Sequence, residues 1–331
     1  ADQAMVTREE VAQRAGVSTM TVTRVVTGRG YVSDATRRKV WKVIDQLGYI
    51  PNKIASGLVS GKSNRIAIVV PDLTNPYYLQ VVGAMIEEAK RDDYVISVYK
   101  ANEEELPQVL ESLISNRVAG VVNYASEFPA KYVRHLEEIG ARLIRTSYGE
   151  GDFKMELIYE RAILQAVESL AANGCRRIIF IAGMGKDYIK IDRRVPYFVR
   201  CLEEKGMYLD EHSVINGNYP REEAYIVGYN IAEQLVREGV FFDAAFCMND
   251  MMAFGVINGL KHSGKRVPDD VSVIGFDNIP MSNFFEPPLS TISLDIAREA
   301  HFYFNYLAGK ESGEENKLVA EYVERQSTRR V

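Results

Sequence analysis

Residues 17–24 read Val-Ser-Thr-Met-Thr-Val-Thr-Arg and carry side chains suited to contacting DNA. In a helix that turns its valines toward a core, Thr19, Met20 and Arg24 point outward together. An arginine guanidinium donates a pair of hydrogen bonds to a guanine edge, and short polar or apolar side chains contact other base edges. The types and spacing of these residues predict a helix that lies in a major groove.

A second set of polar and aromatic residues follows apolar segments later in the chain. Ligands of open α/β sheets bind beyond the carboxyl ends of the strands. The side chains that follow the expected strands are Asn75, Tyr77, Tyr78, Tyr219, Asn249 and Asp277. Such groups suit a polyol, because rings cover C–H faces while polar groups bind hydroxyls. The alternative is that Asn75 and Asp277 only cap turns or helices, and that Tyr77 or Tyr78 belongs to the core.

Three short helices are expected to position the first set. Thr7-Arg8-Glu9-Glu10 is a capping box that opens the first helix, Gly16 makes the turn, and Ser18 and Ser33 cap the second and third. The residues expected in the small core are Val11, Ala12, Ala15, Val22, Val25, Val26, Val40, Val43, Ile44 and Leu47. This pattern predicts a three-helix helix-turn-helix domain. The alternative for the second helix is an ordinary solvated helix in a bundle.

Charge divides the chain unevenly. Residues 1–63 carry ten Lys and Arg against five Asp and Glu, a net charge of +5, whereas the remaining residues carry thirty against forty, a net of −10. We call residues 1–63 the head and the remaining residues the body. A basic head joined to an acidic body suits a partner whose phosphates contact the head alone. The alternative is chance clustering of surface charge. No apolar run approaches the ~20 residues of a membrane helix, and no leader is evident, so we expect a cytoplasmic protein.

The segment between head and body, Pro51 to Ser60, reads as a short helix. It is too short to be stable alone in water, and Gly57 costs about 1 kcal/mol relative to alanine. We therefore expect it to fold only against DNA and its symmetry mate. Gly57→Ala is predicted to tighten operator binding and to blunt the ligand response, because it lowers the cost of ordering.

The body alternates near-continuous apolar strands with helices, which is typical of parallel sheets covered on both faces. The strands expected in a first α/β lobe are Ile66–Val70, Val95–Tyr99, Gly120–Tyr124 and Arg142–Thr146. Those expected in a second lobe are Ile178–Ala182, Val214–Gly217, Ala245–Met248 and Val271–Phe276. Ser290–Leu294 is expected to return the chain to the first lobe, and one strand over Leu318–Glu324 to pass back to the second.

Several motifs in order carry a resemblance to a known family. They are V-S-T-M-T-V-T-R-V-V, V-S-D-A-T-R-R-K-V, L-G-Y-I-P-N-K-I-A-S-G-L, V-P-D-D-V-S-V-I-G-F-D-N and E-P-P-L-S-T-I. The chain resembles the LacI/GalR family of bacterial transcription regulators along its whole length. The resemblance implies a DNA-binding domain over 1–50, a hinge helix and linker over 51–63, and an effector-binding and dimerisation body over 64–331. The body resembles periplasmic sugar-binding proteins, with one lobe about 64–157 and 292–317 and the other about 158–291 and 318–331.

The resemblance also assigns roles to residues by position. Thr19, Met20 and Arg24 match base-reading positions, and Leu58 matches a leucine wedged between base pairs in the minor groove. The positions that match or adjoin backbone contacts are Thr7, Ser18, Thr21, Ser33, Thr36, Asn52 and Ala55. Arg194 matches a ligand-binding arginine. Met20 replaces a polar residue, so it reads by apolar contact, for example with a thymine methyl group.

Two departures from the family pattern concern the effector. Ile158-Tyr159-Glu160-Arg161-Ala162 stands where Asp-Asn-x-x-Gly is usual, and Tyr197 stands in place of a glycine. The first removes a carboxylate that often holds sugar hydroxyls. A sugar or sugar derivative remains the first expectation for the effector, and the departures favour an atypical one that is aromatic, acidic or phosphorylated.

The function expected from the sequence is therefore that of a homodimeric transcriptional regulator, a repressor, which binds a pseudo-palindromic operator in double-stranded DNA under the control of a small-molecule effector. No cofactor, metal ion, membrane contact or enzyme activity is expected. The scattered histidines offer no evident general base for a nucleophile, and the carboxyl end has no leucine heptads, so a dimer is expected rather than a tetramer. The alternative is a periplasmic-type solute-binding protein without DNA function.

Overall fold

The structure, a computed structural model, describes residues 6–28, 30–50, 63–146, 153, 155–183, 185, 192–310 and 315–329. The chain divides into two compact units, Ala1–Ser63 and Asn64–Val331. The expected hinge helix, with Asn52, Ala55, Gly57 and Leu58, lies outside the described residues.

The first unit is the expected three-helix domain. Its helices are α1 (Arg8–Ala15), α2 (Thr19–Thr27) and α3 (Asp34–Leu47). Gly16 ends α1 in the left-handed region at φ 60°, where a residue without Cβ is favoured. The core predicted from helical spacing forms: Val11, Ala15, Val22 and Val40 are all buried.

The first lobe of the second unit holds a parallel sheet in the order β2-β1-β3-β4. Its strands are β1 (Arg65–Val70), β2 (Val95–Lys100), β3 (Gly120–Asn123) and β4 (Arg142–Arg145). Its helices are α4 (Pro76–Lys90), α5 (Leu106–Ser115) and α6 (Ala130–Glu138). Each of the four strands was predicted to within one residue at either end.

Both faces of this sheet are covered, which explains its continuous apolar strands. Ile66 and Ile68 pack on one face in a core shared with α4, whereas Ala67 and Val69 pack on the other face in a core shared with α5 and α6. Since successive side chains of a strand point to opposite faces, a central strand covered on both sides must be apolar at every position.

The second lobe holds a six-stranded sheet in the order β12-β10-β9-β8-β6-β7. The remaining strands among the described residues are β5 (Glu156–Ile158), β6 (Ile178–Ile181), β7 (Val214–Ile215), β8 (Ala244–Cys247), β9 (Ser272–Phe276), β10 (Ser290–Ser293), β11 (Lys317–Val319) and β12 (Glu321–Val323). The helices described in this part of the chain are α7 (Glu160–Ala172), α8 (Arg194–Glu204), α9 (Ala224–Arg237), α10 (Asp250–His262), a 3₁₀ turn at Pro280–Asn283, and α11 (Ile296–Leu307). The strands of this sheet run parallel except β12, which pairs antiparallel with β10.

Two expectations about strands were wrong. The strand at 290–294 does not return the chain to the first lobe, because β10 pairs with β9 in the second sheet; the return is made by α11, which packs against the first sheet through Tyr303 and Phe304. The single strand expected over 318–324 is broken at Ala320. Its first part, β11, pairs with β5 in a separate two-stranded sheet, and its second part, β12, pairs with β10.

Two further observations concern the described residues alone. None of their helices has both the length and the apolar character required to cross a membrane. Cys175, Cys201 and Cys247 are all buried free thiols.

Candidate functional site

The exposed face of α2 carries the three candidate base readers. Ser18 caps the helix by accepting a hydrogen bond from the Thr21 backbone N–H at 3.1 Å, and burial of Val22 on the opposite side fixes which face is outward. Met20 is 60% exposed, which is unusual for a large apolar side chain without a partner. Thr19 and Arg24 are exposed beside it.

Thr23, a fourth outward side chain of α2, differs from these three. The Thr23 hydroxyl donates to the Thr19 carbonyl at 3.0 Å and accepts from the Arg8 guanidinium at 3.2 Å. Both roles of this hydroxyl are therefore engaged within the domain, and the side chain is half-buried. Thr19, Met20 and Arg24 are more exposed than Thr23 and remain the candidate base readers of this face.

The candidate phosphate contacts lie at helix N-termini. Thr7 accepts from the Glu10 N–H at 3.2 Å while its own N–H donates to the Glu10 carboxylate at 2.7 Å, which completes the predicted capping box. Ser33 accepts from the Thr36 N–H at 3.3 Å, as Ser18 does from Thr21. The N-terminus of a helix favours an anion, because its first N–H groups and the helix dipole point toward it. Thr21 and Thr36 place a further hydroxyl beside each of two such ends.

The second candidate site is a cleft of about 2490 Å³ in the body, lined by residues of both lobes. The structure brings together here all the candidate effector residues: Asn75, Tyr77, Tyr78, Arg194, Tyr219, Asn249 and Asp277. The cleft exceeds the roughly 300–1,000 Å³ of ordinary small-molecule sites, so a small ligand fills only part of it. The residues follow the carboxyl ends of strands in both sheets, as expected for α/β lobes.

Arg194 begins α8 and is fixed within the cleft by several contacts. It forms a bidentate ion pair with Asp192, at 2.9 Å from Nε and 2.7 Å from Nη2, and Nη1 donates to the Met248 carbonyl at 2.7 Å. Its guanidinium lies 4.7 Å from the centroid of the Phe276 ring. Asp192 was not predicted, because an aspartate two positions before the arginine belongs to no motif that the sequence analysis used.

Asn75 and Asn249 both serve as helix caps while lining the cleft. The Asn75 side chain accepts from the Tyr77 N–H at 3.1 Å, and that of Asn249 accepts from the Met252 N–H at 2.8 Å. Asn75 therefore caps a helix, which was the alternative to a site role, and also lines the cleft. Tyr77 packs partly against the cores of both lobes, so the expectation that one of the two tyrosines is partly core is confirmed.

Asp277 leaves β9 with φ 108°, a conformation that side chains other than glycine rarely adopt. Burial raises the pKa of its carboxyl well above the usual range and the negative charge of Asp250 raises it further, while the Arg194 charge and a hydrogen bond from Asn75 act in the opposite direction. Asn75 stands at the start of α4 in the first lobe, so this interaction joins the two lobes.

Glu299 is a second cleft residue, after Asp192, that the sequence analysis missed. Its side chain is buried, and it accepts hydrogen bonds from the Tyr77 and Tyr124 hydroxyls at 3.1 Å. Burial raises its pKa, against hydrogen bonds from Tyr303, Tyr124 and Tyr77. A signal was present: Glu299 lies at helical spacing from Tyr303 and Leu307, on the otherwise apolar face of α11.

A buried aspartate supports the loop that carries Asp277. Asp250 accepts from the Ile279 N–H at 2.8 Å, from the Ser282 hydroxyl at 2.6 Å and from the Thr291 hydroxyl at 2.5 Å. Burial raises its pKa to about 6, although these hydrogen bonds oppose the rise. The loop after β9 is thereby tied to the start of α10.

The chemistry of the cleft is that of binding. Within the described part of the chain, no group of three His, Cys, Asp or Glu side chains could hold a metal ion. Rings, caps, an arginine and carboxylates from both lobes converge on one space, which is how a polar ligand is held between lobes.

Comparison with known proteins covers both units. Residues 7–52 match the sequence model of bacterial regulatory proteins of the lacI family, and residues 167–328 match that of a periplasmic binding protein-like domain. Catabolite control protein A of Priestia megaterium is 30% identical over 292 residues, which cover 87% of either chain. The HTH-type transcriptional repressor PurR of Mannheimia succiniciproducens is 29% identical over 340 residues, 99% of this chain and 100% of that one.

Solved structures agree over nearly the whole length. The lac repressor dimer bound to operator and the anti-inducer ONPF is 25% identical, with a TM-score of 0.78 over 98% of this chain and 99% of that one. The complex of the transcriptional regulator CelR with cellobiose is 26% identical, with a TM-score of 0.66 over 97% of this chain and 99% of that one.

Proposed function

The chain belongs to the LacI family of bacterial regulatory proteins, and from this premise we propose that it is a homodimeric repressor whose affinity for operator DNA is set by a small molecule bound in the cleft. Members of this family are regulators rather than enzymes. The observation that carries the proposal is the exposed set of Thr19, Met20 and Arg24 on a capped helix of a basic head. A solute-binding protein without DNA function has no use for such a face.

In the proposed complex α2 lies in the major groove. Arg24 donates to a guanine, Met20 contacts a thymine methyl group and Thr19 contacts a neighbouring base edge. Thr7, Ser18, Thr21, Ser33 and Thr36 approach phosphates and fix the register without reading sequence. From the sequence alone, Asn52 and Ala55 are assigned to the backbone contacts of the hinge and Leu58 to a minor-groove wedge.

The homodimer is supported by apolar side chains left exposed on the body. In the first lobe they include Leu79 and Ile86 on α4 and Val95 on β2, which is an edge strand. An exposed apolar helix face beside an open sheet edge suits a self-complementary contact with a second copy. A two-fold dimer presents two heads, so the operator is pseudo-palindromic. A regulator that binds operator DNA acts where bacterial DNA lies, so the proposed location is the cytoplasm.

The proposed effector is a sugar or sugar derivative. The rings and hydrogen-bonding groups of the cleft suit a ligand with hydroxyls and C–H faces, and the relative CelR was solved with cellobiose. Ligand contacts to Asn75 in one lobe and to Arg194, Asn249 and Asp277 in the other would change how the lobes close. The change would alter the free-energy cost of folding the hinge over 51–63. Effector binding and operator binding would then be coupled by about 1–3 kcal/mol.

The test starts from the full-length protein and a pool of random DNA duplexes. Repeated selection should enrich a pseudo-palindrome, and fluorescence anisotropy should show tight binding to it in comparison with a scrambled duplex. A chain lacking residues 1–63 should lose this binding while it retains its affinity for cleft ligands. If the full-length protein prefers no palindrome over random duplex, with or without candidate ligands, the proposal is wrong and the solute-binding alternative stands.

A further inference from the structure

Among the described residues that act electrostatically on the Tyr159 hydroxyl, carboxyl groups outnumber cations. Four charged side chains act on the hydroxyl of Tyr159: Arg194, Glu299, Asp192 and Asp277. Three of them are carboxylates and one is a cation. Arg145, another partly buried cation of the lining, lies on the edge strand β4 and is not among the groups that shift the pKa of Glu299.

The cation in this set is already neutralised. Asp192 chelates the Arg194 guanidinium through two hydrogen bonds, at 2.9 and 2.7 Å, and a third guanidinium nitrogen donates to a carbonyl oxygen. The side chains of this pair are only 7% and 14% exposed. The positive charge of Arg194 also acts on Asp277, but it is shared with Asp192, and no cation is among the groups that shift the pKa of Glu299. Asp277 and Glu299 therefore lack a full counter-charge in a desolvated place, where an unpaired charge is costly.

Glu299 is nevertheless held in a form that accepts hydrogen bonds. The Tyr77 hydroxyl lies 3.1 Å from both carboxylate oxygens, and the Tyr124 hydroxyl lies 3.1 Å from one of them. Hydroxyl donors favour the ionised form of a carboxyl group. The tyrosine hydroxyls thus favour the ionised form of Glu299 at the wall of the cleft and oppose the effect of burial, which raises its pKa.

The rings beside this carboxylate form an aromatic wall, made of Tyr77, Tyr78 and Tyr124. Their centroids are 5.4 Å apart for Tyr77 and Tyr78, 5.4 Å for Tyr78 and Tyr124, and 6.0 Å for Tyr77 and Tyr124, with interplanar angles from 60° to 89°. Rings at steep angles near a carboxylate are the surroundings in which proteins bind ammonium groups, because the ring face carries partial negative charge.

We propose that the effector, in the function proposed above, is an organic cation: a small hydroxylated molecule whose ammonium group binds at the aromatic wall, beside Glu299 and Asp277. A neutral sugar supplies no counter-charge to either carboxyl group, and an acidic or phosphorylated ligand repels their ionised forms. An ammonium group supplies the missing positive charge, while Arg194, Asn75 and Asn249 remain for hydroxyls.

The first experiment compares matched probes by calorimetry on the full-length protein. Choline is paired with 3,3-dimethylbutan-1-ol, which has the same shape without the charge, and glucosamine is paired with glucose and glucuronate. At least one cation should bind about tenfold or more tightly than its neutral partner, a difference of about 1.4 kcal/mol, and glucuronate should bind most weakly. If no cation binds better than its neutral partner, the inference is wrong.

A variant pair locates the effect. Glu299→Gln keeps the shape of the side chain and removes its charge, so it should weaken the cation by about tenfold or more and leave the neutral partner within about twofold. Glu203→Gln makes the same change at an exposed position on α8 outside the cleft lining and should alter neither. Equal weakening of cation and neutral probe by Glu299→Gln would mean that Glu299 has a structural role alone.

Proton release gives an independent readout. The ionisable groups that act on Asp277 are Asp250, Arg194 and Glu299, and burial keeps its pKa raised. A bound cation favours the ionised carboxylate, so choline, which does not titrate, should expel protons over the pH range in which Asp277 titrates; calorimetry in two buffers of different ionisation heat measures this. Proton uptake would contradict the inference. The selection of an operator is a separate assay, so palindrome binding without preference for cations rejects this inference and keeps the proposed function.

Discussion

The hydroxyl group of Tyr77 donates to the carboxylate of Glu299, 222 residues away in sequence, and lies 3.1 Å from each of its oxygens. The two residues meet because α4 and α11 pack on the same face of the first sheet. This contact links the first helix of the body to the helix that returns from the second lobe. It also supports a buried charge, so its contribution to stability must depend on pH.

Tyr77→Phe should destabilise the body more at pH 8 than at pH 5. The pKa of Glu299 is raised in the folded protein, so its ionisation reduces stability as pH rises through that pKa. Removing the Tyr77 donor raises the pKa further, and the free energy of unfolding should fall by about 1–3 kcal/mol at pH 8 and by less at pH 5. Thermal unfolding at the two pH values measures this.

Tyr132→Phe is the matched control for this prediction. The Tyr132 hydroxyl donates at 3.1 Å to Glu111, which is exposed on α5. Loss of a bond to a solvated carboxylate should cost little at either pH. An equal loss from Tyr77→Phe at both pH values would show that Glu299 does not titrate in this range.

The sequence predicted those parts of the fold that depend on local patterns. The caps at Thr7, Ser18 and Ser33 and the four strands of the first sheet follow from side-chain chemistry and apolar periodicity, and the structure confirms them. The strand at 290–294 was assigned to the wrong sheet, because its apolar pattern indicates that the strand is buried but does not indicate which strand it pairs with. Pairing is decided by contacts such as that of Ser290 with Ile274, which no local pattern encodes.

The candidate site was predicted in the same uneven way. Residues that follow strands, such as Asn249 and Asp277, were found because strand ends converge in α/β lobes. Glu299 was missed because it lies inside a helix, where a charged residue ordinarily faces solvent. It faces the cleft because three tyrosines from separate segments, Tyr77, Tyr124 and Tyr303, provide donors for it, and that convergence is visible only in three dimensions.

Arg24→Ala should relax base preference at one position of each half-site. The side chain is exposed on α2 and is proposed to donate to a guanine, so its loss should remove about 1–3 kcal/mol of discrimination at that base pair. Thr36→Ala, at a proposed phosphate contact, should weaken binding to all sequences alike. Anisotropy titrations over single-base variants of the selected operator separate the two patterns. If Arg24→Ala loses affinity without a change in base preference, the arginine contacts the DNA backbone instead of a base.

Ser18→Ala should lower the stability of the head and its operator affinity together. The Ser18 hydroxyl accepts from the Thr21 N–H at 3.1 Å at the start of the reading helix. Loss of such a cap costs about 1 kcal/mol, whereas glycine in its place costs only a few tenths. Ser18→Gly is therefore the control for the cap: the stability of the head should remain close to that of the unaltered protein, while operator affinity should fall only by the loss of the proposed phosphate contact. If hydrogen exchange of the α2 amides is as slow in Ser18→Ala as in the unaltered chain, the cap does not stabilise this helix.

Asp250→Ala should destabilise the second lobe and weaken effector binding, although Asp250 does not line the cleft. Three donors lose their buried acceptor, and orphaned donors cost about 1–3 kcal/mol each. The same aspartate holds the Ile279 N–H, directly after Asp277 at φ 108° and Asn278 at φ 53°. Such non-glycine conformations cost about 1–3 kcal/mol each and persist only when their surroundings enforce them, so the loop should relax and withdraw Asp277 from its position.

Ser282→Ala removes one of the three donors and keeps the acceptor, so it should cost about 1 kcal/mol and leave effector affinity nearly unchanged. Gly275→Ala should resemble Asp250→Ala, because an added Cβ would lie 2.2 Å from the Asp250 carboxylate.

The pKa of Asp250 is raised to about 6 in the folded protein, so its ionisation lowers stability as pH rises through this value. Asp250→Ala should abolish that decline between pH 4 and pH 7, and an unchanged decline in thermal midpoint would assign the titration to another group.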